Sequence, residues 1–263
     1  MNLRSALLLL LAPLLFVSSR FHELSGLGRN VGDMATDAPT PATPAGFAFL
    51  IWILIFALFT IIAGYQARPA QRNNLIMQRI GWPLVVGIVA AHGWMLTAIL
   101  HGNGLALLAW ISLMAAAIFI ALARAVASMV TDAASTSFAR HYVLPALGLC
   151  AGWLTLATFL NLAGTLQITL NLPTGTTAGA IATLSAAILA GGIILFALRH
   201  QPYAAVPYAF ALLWGLLAVV VANKNALLSP IGVASPPVAT TALLGAVVVV
   251  GLLACVKKPA RAV

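Results

Sequence analysis

Charged side chains are what this sequence has least of. Only 6% of its 263 residues are charged and only four are acidic, while 62% are hydrophobic and the mean hydropathy is +1.07. Ordinary globular domains are about 25% charged, so the composition excludes a soluble domain. The apolar residues form long runs instead, and about 20 such residues are enough to cross the hydrocarbon core of a bilayer. The composition therefore predicts an all-α integral membrane protein.

Acidic side chains are absent from the apolar runs, which limits the chemistry available inside a membrane. The four acids are Glu23, Asp33, Asp37 and Asp132, and all of them fall in predicted loops. Coupling to protons or sodium usually relies on a carboxylate within the membrane, so coupled transport is disfavoured. Uncoupled, facilitated transport remains a possible function. No nucleophile with a nearby base can be assembled within the runs either. We therefore expect no enzyme.

Cysteines are few and basic residues are not clustered. Cys150 and Cys255 lie in or beside apolar segments and lack the spacing of a disulfide framework or a metal site. The five histidines are scattered too widely to ligate a metal. The net charge of +9 comes from basic residues between the runs rather than from a continuous basic patch. We therefore expect neither a metal nor a nucleic-acid partner.

Breaks in the apolar pattern predict about eight transmembrane helices. These spans lie near residues 5–19, 45–66, 81–101, 104–127, 142–165, 177–198, 204–222 and 237–256. The first run also has the layout of a secretory signal, so residues 1–19 are either a retained helix or a cleaved signal. The last three spans are poor in aromatic residues. In the sixth, alanine recurs every fourth position from Ala178 to Ala190, a spacing that predicts close helix packing along that face.

The basic residues indicate the orientation, because Lys and Arg are retained on the cytoplasmic side of short loops. If eight spans alternate from an inside N-terminus, only Arg20, Arg29 and Lys224 of the 13 basic residues lie outside. The others are Arg4, Arg68, Arg72, Arg79, Arg124, Arg140, Arg199, Lys257, Lys258 and Arg261. The sequence thus predicts that both termini lie in the cytoplasm. We further expect an integral protein of a bacterial inner membrane.

Two predicted spans carry patterns that point inward. The second has an aromatic stripe at positions i, i+3, i+7 and i+10, formed by Phe49, Trp52, Phe56 and Phe59. On the fifth, Trp153, Ala157 and Asn161 repeat every four residues, and the Asn161 amide needs partners in lipid. These faces form either a bundle core or a ligand site. His92, deep in the third span, is likewise either a hydrogen-bonded packing residue or a ligand contact.

The longest predicted loop, residues 20–44, leads into the second span. Pro39, Pro41 and Pro44 stiffen this approach because proline fixes φ. The loop is either a lid over the bundle or a plain connector.

Two motifs resemble the translocator protein family, also called tryptophan-rich sensory proteins or peripheral benzodiazepine receptors. Residues 43–52, TPAGFAFLIW, continuing to Phe56, are similar to the family's proline-rich approach to its second helix. Leu144-Pro145 followed by residues 152–161, GWLTLATFLN, is similar to its fifth-helix pattern of proline, tryptophan, alanine-threonine and leucine-asparagine. Trp94 matches a family tryptophan on the third helix.

The resemblance covers about residues 1–167 and implies a five-helix translocator-like bundle there, followed by a three-helix membrane extension over residues 168–263. It implies a pocket for a flat hydrophobic ligand, porphyrin-, sterol- or lipid-like, between the second, third and fifth spans and beneath the first loop. In that pocket Trp52, Trp153 and Ala157 would contact the ligand, and Asn161 would fix the fifth helix.

The candidate ligand-binding set, from the patterns and the resemblance together, is Phe49, Trp52, Phe56, His92, Trp94, Trp153, Ala157 and Asn161. No cofactor is required, and a porphyrin or other hydrophobic molecule is the candidate ligand. The expected partners are membrane lipids and this small molecule, with a homodimer as a further hypothesis. The sequence leaves two alternatives to a binding or sensory role, which are a small-molecule facilitator and a structural partner of another membrane complex.

Overall fold

The computed structural model describes residues 2–30, 33, 37–71, 73–131, 137–229, 231–232 and 234–257. In order, the α-helices of these segments are α1 Leu3–Ser18, α2 Phe21–Ser25, α3 Ile51–Ala67, α4 Leu75–Leu100, α5 Leu105–Thr131, α6 Leu144–Leu170, α7 Thr177–Ala197, α8 Pro202–Lys224 and α9 Pro236–Ala254. A 3₁₀ turn, Gly46–Leu50, leads directly into α3, and a π-helical turn, Ala139–Val143, leads into α6. No strand occurs in the described segments.

Seven helical segments of the described chain are long and apolar enough to cross a membrane. They are Gly46–Ala67, Leu75–Leu100, Leu105–Met129, Ala139–Leu170, Thr177–His200, Pro202–Lys224 and Pro236–Ala254. Helix α1 is apolar but has only 16 residues, a rise of about 24 Å against a hydrocarbon core of about 30 Å. The all-α membrane fold is therefore confirmed, with seven helices of full length and one shorter apolar helix where eight spans were predicted.

Helix α1 is packed into the bundle against α3 and α4. Its Leu8, Ala12 and Leu15 are fully buried. A polar contact adds to this packing, because the His92 ring on α4 bonds α1 through both nitrogens. Nε2 donates to the Leu11 carbonyl at 3.1 Å, which leaves Nδ1 to accept from the Ser18 hydroxyl at 2.7 Å. Helix α1 thus forms part of the same bundle as α3 and α4, and whether residues 1–19 are retained or cleaved stays a prediction.

Several helix boundaries differ from the prediction. Helix α4 begins at Leu75 rather than near residue 81, because the Asn74 side chain accepts a hydrogen bond from the Met77 N–H and caps the helix early. Helix α6 continues to Leu170, beyond the predicted end near residue 165. The predicted loop over residues 20–44 contains the short helix α2. The predicted bounds of α4 and α6 were placed where polar residues begin. Both helices continue through these polar residues, beyond the length needed to cross the hydrocarbon core.

Helices α6 and α8 approach each other through small residues. A Cβ on Gly148 would lie 2.4 Å from the Ala204 carbonyl oxygen, and one on Gly152 would lie 2.2 Å from that of Tyr208. Glycines four residues apart allow such backbone contact between helices in lipid. The Thr155 and Tyr208 hydroxyls also share a buried hydrogen bond of 2.7 Å. A single hydrophobic cluster extends from α1 to α9, and the predicted division at residue 167 falls in the last turn of α6.

The small-residue face predicted for the sixth span does not pack within this chain. Ala178, Ala182 and Ala186 are exposed, so the prediction was wrong. The buried residues of α7 are Ala180, Leu184, Ala187, Gly191 and Leu195. Alanine is so frequent in α7 that it recurs on more than one face, and spacing alone did not identify the packed one.

Candidate functional site

Three tryptophans from separate helices converge in the N-terminal half of the bundle. Trp52 of α3 lies 6.2 Å from Trp94 of α4 and 6.3 Å from Trp153 of α6, measured between ring centroids. Phe49, in the turn before α3, meets the Trp153 ring edge-on at 5.9 Å. All three indoles are at least nine-tenths buried, with 9%, 3% and 3% of their surface exposed. Their faces are therefore directed into the bundle rather than toward lipid.

These rings border a cavity with a free volume of about 60 Å³. Its lining residues are Ala38, Thr40, Thr43, Pro44, Phe49, Trp52, Trp94, Asn103, Ile111, Trp153, Leu156, Ala157, Leu160, Asn161 and Gly164. None of them is charged, and no group of three or more His, Cys, Asp or Glu side chains comes together as metal ligands in the described segments. The cavity suits a neutral, apolar molecule. Pockets for drug-sized ligands measure about 300–1,000 Å³, so side chains must move to admit one.

Hydrogen bonds hold one wall of the cavity and leave one donor free. The Trp94 indole N–H donates to Asn161 Oδ1 at 3.2 Å, and Asn161 Nδ2 donates to the Ala157 carbonyl at 2.8 Å. By contrast, the buried Trp52 Nε1 has no hydrogen-bond partner among the described residues. Buried donors are rarely left unpaired, and each exception calls for an explanation. A ligand acceptor in the cavity would provide one.

A larger groove lies on the other side of the same aromatic wall. It has a volume of about 600 Å³ and is bordered by the end of α1, the start of α3 and part of α4. Phe49, Trp52 and Trp94 line both the groove and the cavity. Phe56 lines the groove only, where it meets the Phe16 ring edge-on at 5.5 Å. A single layer of aromatic side chains therefore separates the two spaces.

The loop before α3 closes the cavity at the end of the bundle where α4 ends and α5 begins. Ala38, Thr40, Thr43 and Pro44 all lie in the cavity wall. These residues therefore close the cavity at this end, and whether the loop acts as a lid or a plain connector stays a prediction.

An ion pair at the start of this loop segment ties it to the α4–α5 turn. Both Asp37 carboxylate oxygens accept from the Arg29 guanidinium, with Nη1 to Oδ1 at 2.7 Å, and Oδ2 also accepts from the Asn103 backbone N–H at 3.0 Å. The Arg29 backbone N–H bonds the Ile99 carbonyl at 3.1 Å. Burial alone would raise the pKa of Asp37, but the Arg29 and Asn103 bonds outweigh it and hold this pKa below its ordinary value.

The C-terminal helices hold the same loop from the other side. Asn223 of α8 donates from Nδ2 to the Pro41 carbonyl at 2.7 Å, while its Oδ1 accepts from the Ser235 backbone N–H at 3.1 Å. The Ala45 backbone N–H donates to the Ala218 carbonyl of α8 at 3.1 Å. Helix α8, for which the sequence suggested no task, thus anchors this loop.

A second contact from α8 fixes the turn that begins α3. The Trp214 indole N–H donates to the Ala48 carbonyl at 2.8 Å, and its ring meets the Phe47 ring edge-on at 5.4 Å. Because Phe49 and Trp52 follow directly, α8 helps to position the aromatic wall.

Of the predicted site residues, the structure brings six to the cavity. These are Phe49, Trp52, Trp94, Trp153, Ala157 and Asn161. Phe56 lies in the adjoining groove, and His92 lies against α1, away from the cavity. The role of all eight as ligand contacts stays a prediction.

Sequence reasoning missed several lining residues. Leu160 and Gly164 follow Ala157 at helical spacing, so extending the fifth-span pattern would have found them. Asn103 and Ile111, near and within α5, belong to no motif and could not be found this way.

A family model described as TSPO-like protein, that is, translocator-protein-like, matches residues 5–255. The match extends well beyond residue 167 and includes all of α9. No curated protein and no solved structure gives a significant match.

Proposed function

Since the chain belongs to the TSPO-like protein family, we propose that it binds or senses a hydrophobic ligand in the cavity between α3, α4 and α6. The observation that carries this proposal is the convergence of Trp52, Trp94 and Trp153 around an uncharged cavity. Aromatic contacts each contribute about 0.5–1.5 kcal/mol beyond simple burial. Several such contacts together suit a flat ring system.

The unpaired Trp52 N–H narrows the ligand class. A ligand with a hydrogen-bond acceptor at its edge would satisfy this donor, whereas a pure hydrocarbon would leave it unpaired at a cost of about 1–3 kcal/mol. Porphyrins and oxygenated sterols have such acceptors. We infer that the ligand is an apolar ring system with a small number of polar atoms.

The groove beside α1 supplies the route and the missing volume. Rotation of the Phe49 and Trp52 side chains would join the 60 Å³ cavity to the 600 Å³ groove. The combined space falls within the range of about 300–1,000 Å³ typical of small-molecule sites. The ligand would enter sideways from the membrane, beneath a lid that stays in place.

Thermal stabilisation of the purified protein tests the proposal. A ligand that binds only the folded state raises the Tm, so porphyrins, sterols, carotenoids and phospholipids would be compared one class at a time. For any stabilising compound, the Trp153→Ala variant is expected to lose most of the effect. Trp82→Ala is the matched control, because Trp82 is half exposed on α4 and lies outside the cavity. Equal stabilisation of both variants would reject the cavity as the site.

Transport provides a second measurement on the same protein. A facilitator would release a trapped ligand from sealed proteoliposomes, and a binding or sensory protein would not. Stabilisation without flux supports the proposed function, and flux without stabilisation contradicts it.

We further propose that the protein resides in a bacterial inner membrane with α1 crossing it and both termini cytoplasmic. In support, Arg4 bonds the Gln78 carbonyl at 3.0 Å and Arg124 bonds the Arg79 carbonyl at 3.2 Å, so these predicted cytoplasmic residues share one end of the bundle. Cys255 is exposed just after α9 and Cys150 is buried. A membrane-impermeant maleimide should therefore label Cys255 in inverted vesicles and not in intact spheroplasts. The reverse pattern would contradict the orientation.

A further inference from the structure

Helices α7 and α9 enclose an apolar groove on the outside of the bundle. Its volume is about 740 Å³. It runs from Ile181 on α7 and Thr241 on α9 to Phe196 and Leu252 near the other ends of the two helices. From Ile181 to Phe196, α7 rises about 22 Å, which is longer than the ~15 Å of one bilayer leaflet.

The groove offers almost nothing for a polar molecule to bind. Its two hydroxyl residues are Ser185 and Thr241, and Thr241 already donates to the Pro237 carbonyl of its own helix at 3.0 Å. The remaining lining is aliphatic, glycine or the Phe196 ring. This length and chemistry fit an extended acyl chain.

The Phe196 end of the groove leads into a group of basic residues. The Arg199 guanidinium lies 4.1 Å above the Phe196 ring and donates from Nη1 to the Phe196 carbonyl at 2.9 Å. The Lys257 backbone N–H donates to the Arg199 carbonyl at 2.8 Å, which joins the ends of α7 and α9. His200 lies close enough to both cations for their charges to act on it. The cations therefore share a small region at the end of the groove.

Among the described residues, no acidic side chain forms an ion pair with these cations. The chain has no Asp or Glu after Asp132, and neither of the ion pairs found among the described residues involves Arg199 or Lys257. Lys258 and Arg261, which add to the charge in the sequence, lie outside the described residues. Basic residues at the cytoplasmic ends of membrane helices attract anionic lipid head groups.

We propose that the α7–α9 groove is a binding site for an anionic phospholipid. One acyl chain lies along the groove between Ser185 and Leu252, and the phosphate group lies against Arg199 and Lys257. Charge complementarity selects the lipid class, and the groove supplies the contact for the chain. This site is separate from the tryptophan cavity and does not depend on it.

Native mass spectrometry of the full chain measures phospholipid binding directly. The protein would be equilibrated in mixed micelles with equal amounts of phosphatidylglycerol and phosphatidylcholine of identical acyl chains. The wild type should retain phosphatidylglycerol preferentially. The double variant R199Q/K257Q should reduce that preference by about an order of magnitude or more, because each basic residue near the surface contributes about 1 kcal/mol. The matched control R68Q/K224Q removes the same amount of charge at exposed positions away from the groove. It should preserve the preference for phosphatidylglycerol.

A second variant tests the acyl chain. Ser185→Phe fills the groove from an exposed position on α7 without altering a charge, and it should lower retention of both lipids. Three results would overturn the proposal: no lipid preference in the wild type, an unchanged preference in R199Q/K257Q, or unchanged retention in Ser185→Phe. Loss of a dimer peak in Ser185→Phe would also overturn it, because a second copy of the chain would then be the occupant.

Discussion

The Trp94 indole N–H donates a hydrogen bond of 3.2 Å to the Asn161 side-chain oxygen and so joins α4 to α6 beside the cavity. Replacing Asn161 by leucine removes the acceptor and leaves the buried Trp94 donor unpaired. An unpaired buried donor costs about 1–3 kcal/mol. We therefore expect Asn161→Leu to lower the free energy of unfolding by that amount, measured by denaturant titration in detergent.

Thr169→Val is the matched control for this variant. Thr169 lies on the same helix and bonds only the Thr165 carbonyl of its own backbone, at an exposed position. Its loss should change stability by less than about 0.5 kcal/mol. Equal effects of the two substitutions would show that the hydrogen bond between Trp94 and Asn161 does not contribute to the free energy of unfolding.

The contact between α6 and α8 should tolerate no added atom at Gly152. A Cβ there would lie 2.2 Å from the Tyr208 carbonyl oxygen, which is backbone and cannot rotate away. Overpacking of this kind costs about 1–3 kcal/mol, so Gly152→Ala should lower the Tm. Gly64→Ala is the control because nothing lies within 4 Å of its Cβ position. That substitution should leave the Tm unchanged or raise it, and a similar loss in both variants would contradict the close contact.

Asn223 should control the order of the loop that closes the cavity. Asn223→Ala removes the bond to the Pro41 carbonyl and the acceptor for the Ser235 N–H. We expect faster hydrogen–deuterium exchange over residues 37–48, because local opening no longer breaks these bonds. Asn225→Ala, which loses only a local bond to the Leu227 N–H, should leave that exchange unchanged. Equal protection in both variants would mean that α8 does not anchor the loop.

The Arg29–Asp37 ion pair should make stability depend on pH in acid. The folded-state pKa of Asp37 lies below its ordinary value, so the pair stabilises the fold fully above the unfolded pKa of about 3.9. This contribution is lost as the pH falls through the lower, folded-state pKa. Asp37→Asn should therefore have a lower Tm than the wild type at pH 7, and the difference should shrink below about pH 4.

Glu23→Gln serves as the control for this pH series. The contact between Glu23 and Arg20 is 4.0 Å and largely exposed, and such surface pairs contribute little. Its Tm should follow that of the wild type at every pH. A Tm difference between Asp37→Asn and the wild type that stays constant from pH 7 to pH 3 would contradict the role of the ionised pair.

Much of this arrangement was predictable because lipid imposes simple rules on sequence. In lipid, a long apolar run can satisfy its backbone hydrogen-bonding groups only as a helix, so the fold class followed from composition. Trp153, Ala157 and Asn161 share a face by spacing alone, and the structure brings all three to the cavity. The convergence of Trp52 with Trp153 was expected from the motif resemblance together with these patterns.

Other features depend on contacts between distant residues that no local pattern reveals. Asn223 lies in a polar stretch typical of a loop, yet it ends up buried against Pro41, 182 residues away. His92 was placed with the ligand contacts because it is a lone polar residue in an apolar run. In the fold, the Ser18 hydroxyl and the Leu11 carbonyl satisfy it. A polar residue within a span needs a partner, and sequence does not say whether that partner is a ligand or a neighbouring helix.

Filling the cavity should separate ligand binding from folding. Ala157 lines the cavity, and its replacement by leucine extends an apolar side chain into the free volume without removing a hydrogen-bonding side chain. Steric overlap of about 1–3 kcal/mol should weaken binding of the stabilising ligand by roughly tenfold or more, measured by titration of the ligand's own absorbance. The Tm without ligand should change little, because the added atoms occupy empty space. Ala186→Leu, at an exposed position on α7, should bind as the wild type does, and undiminished binding by Ala157→Leu would place the ligand elsewhere.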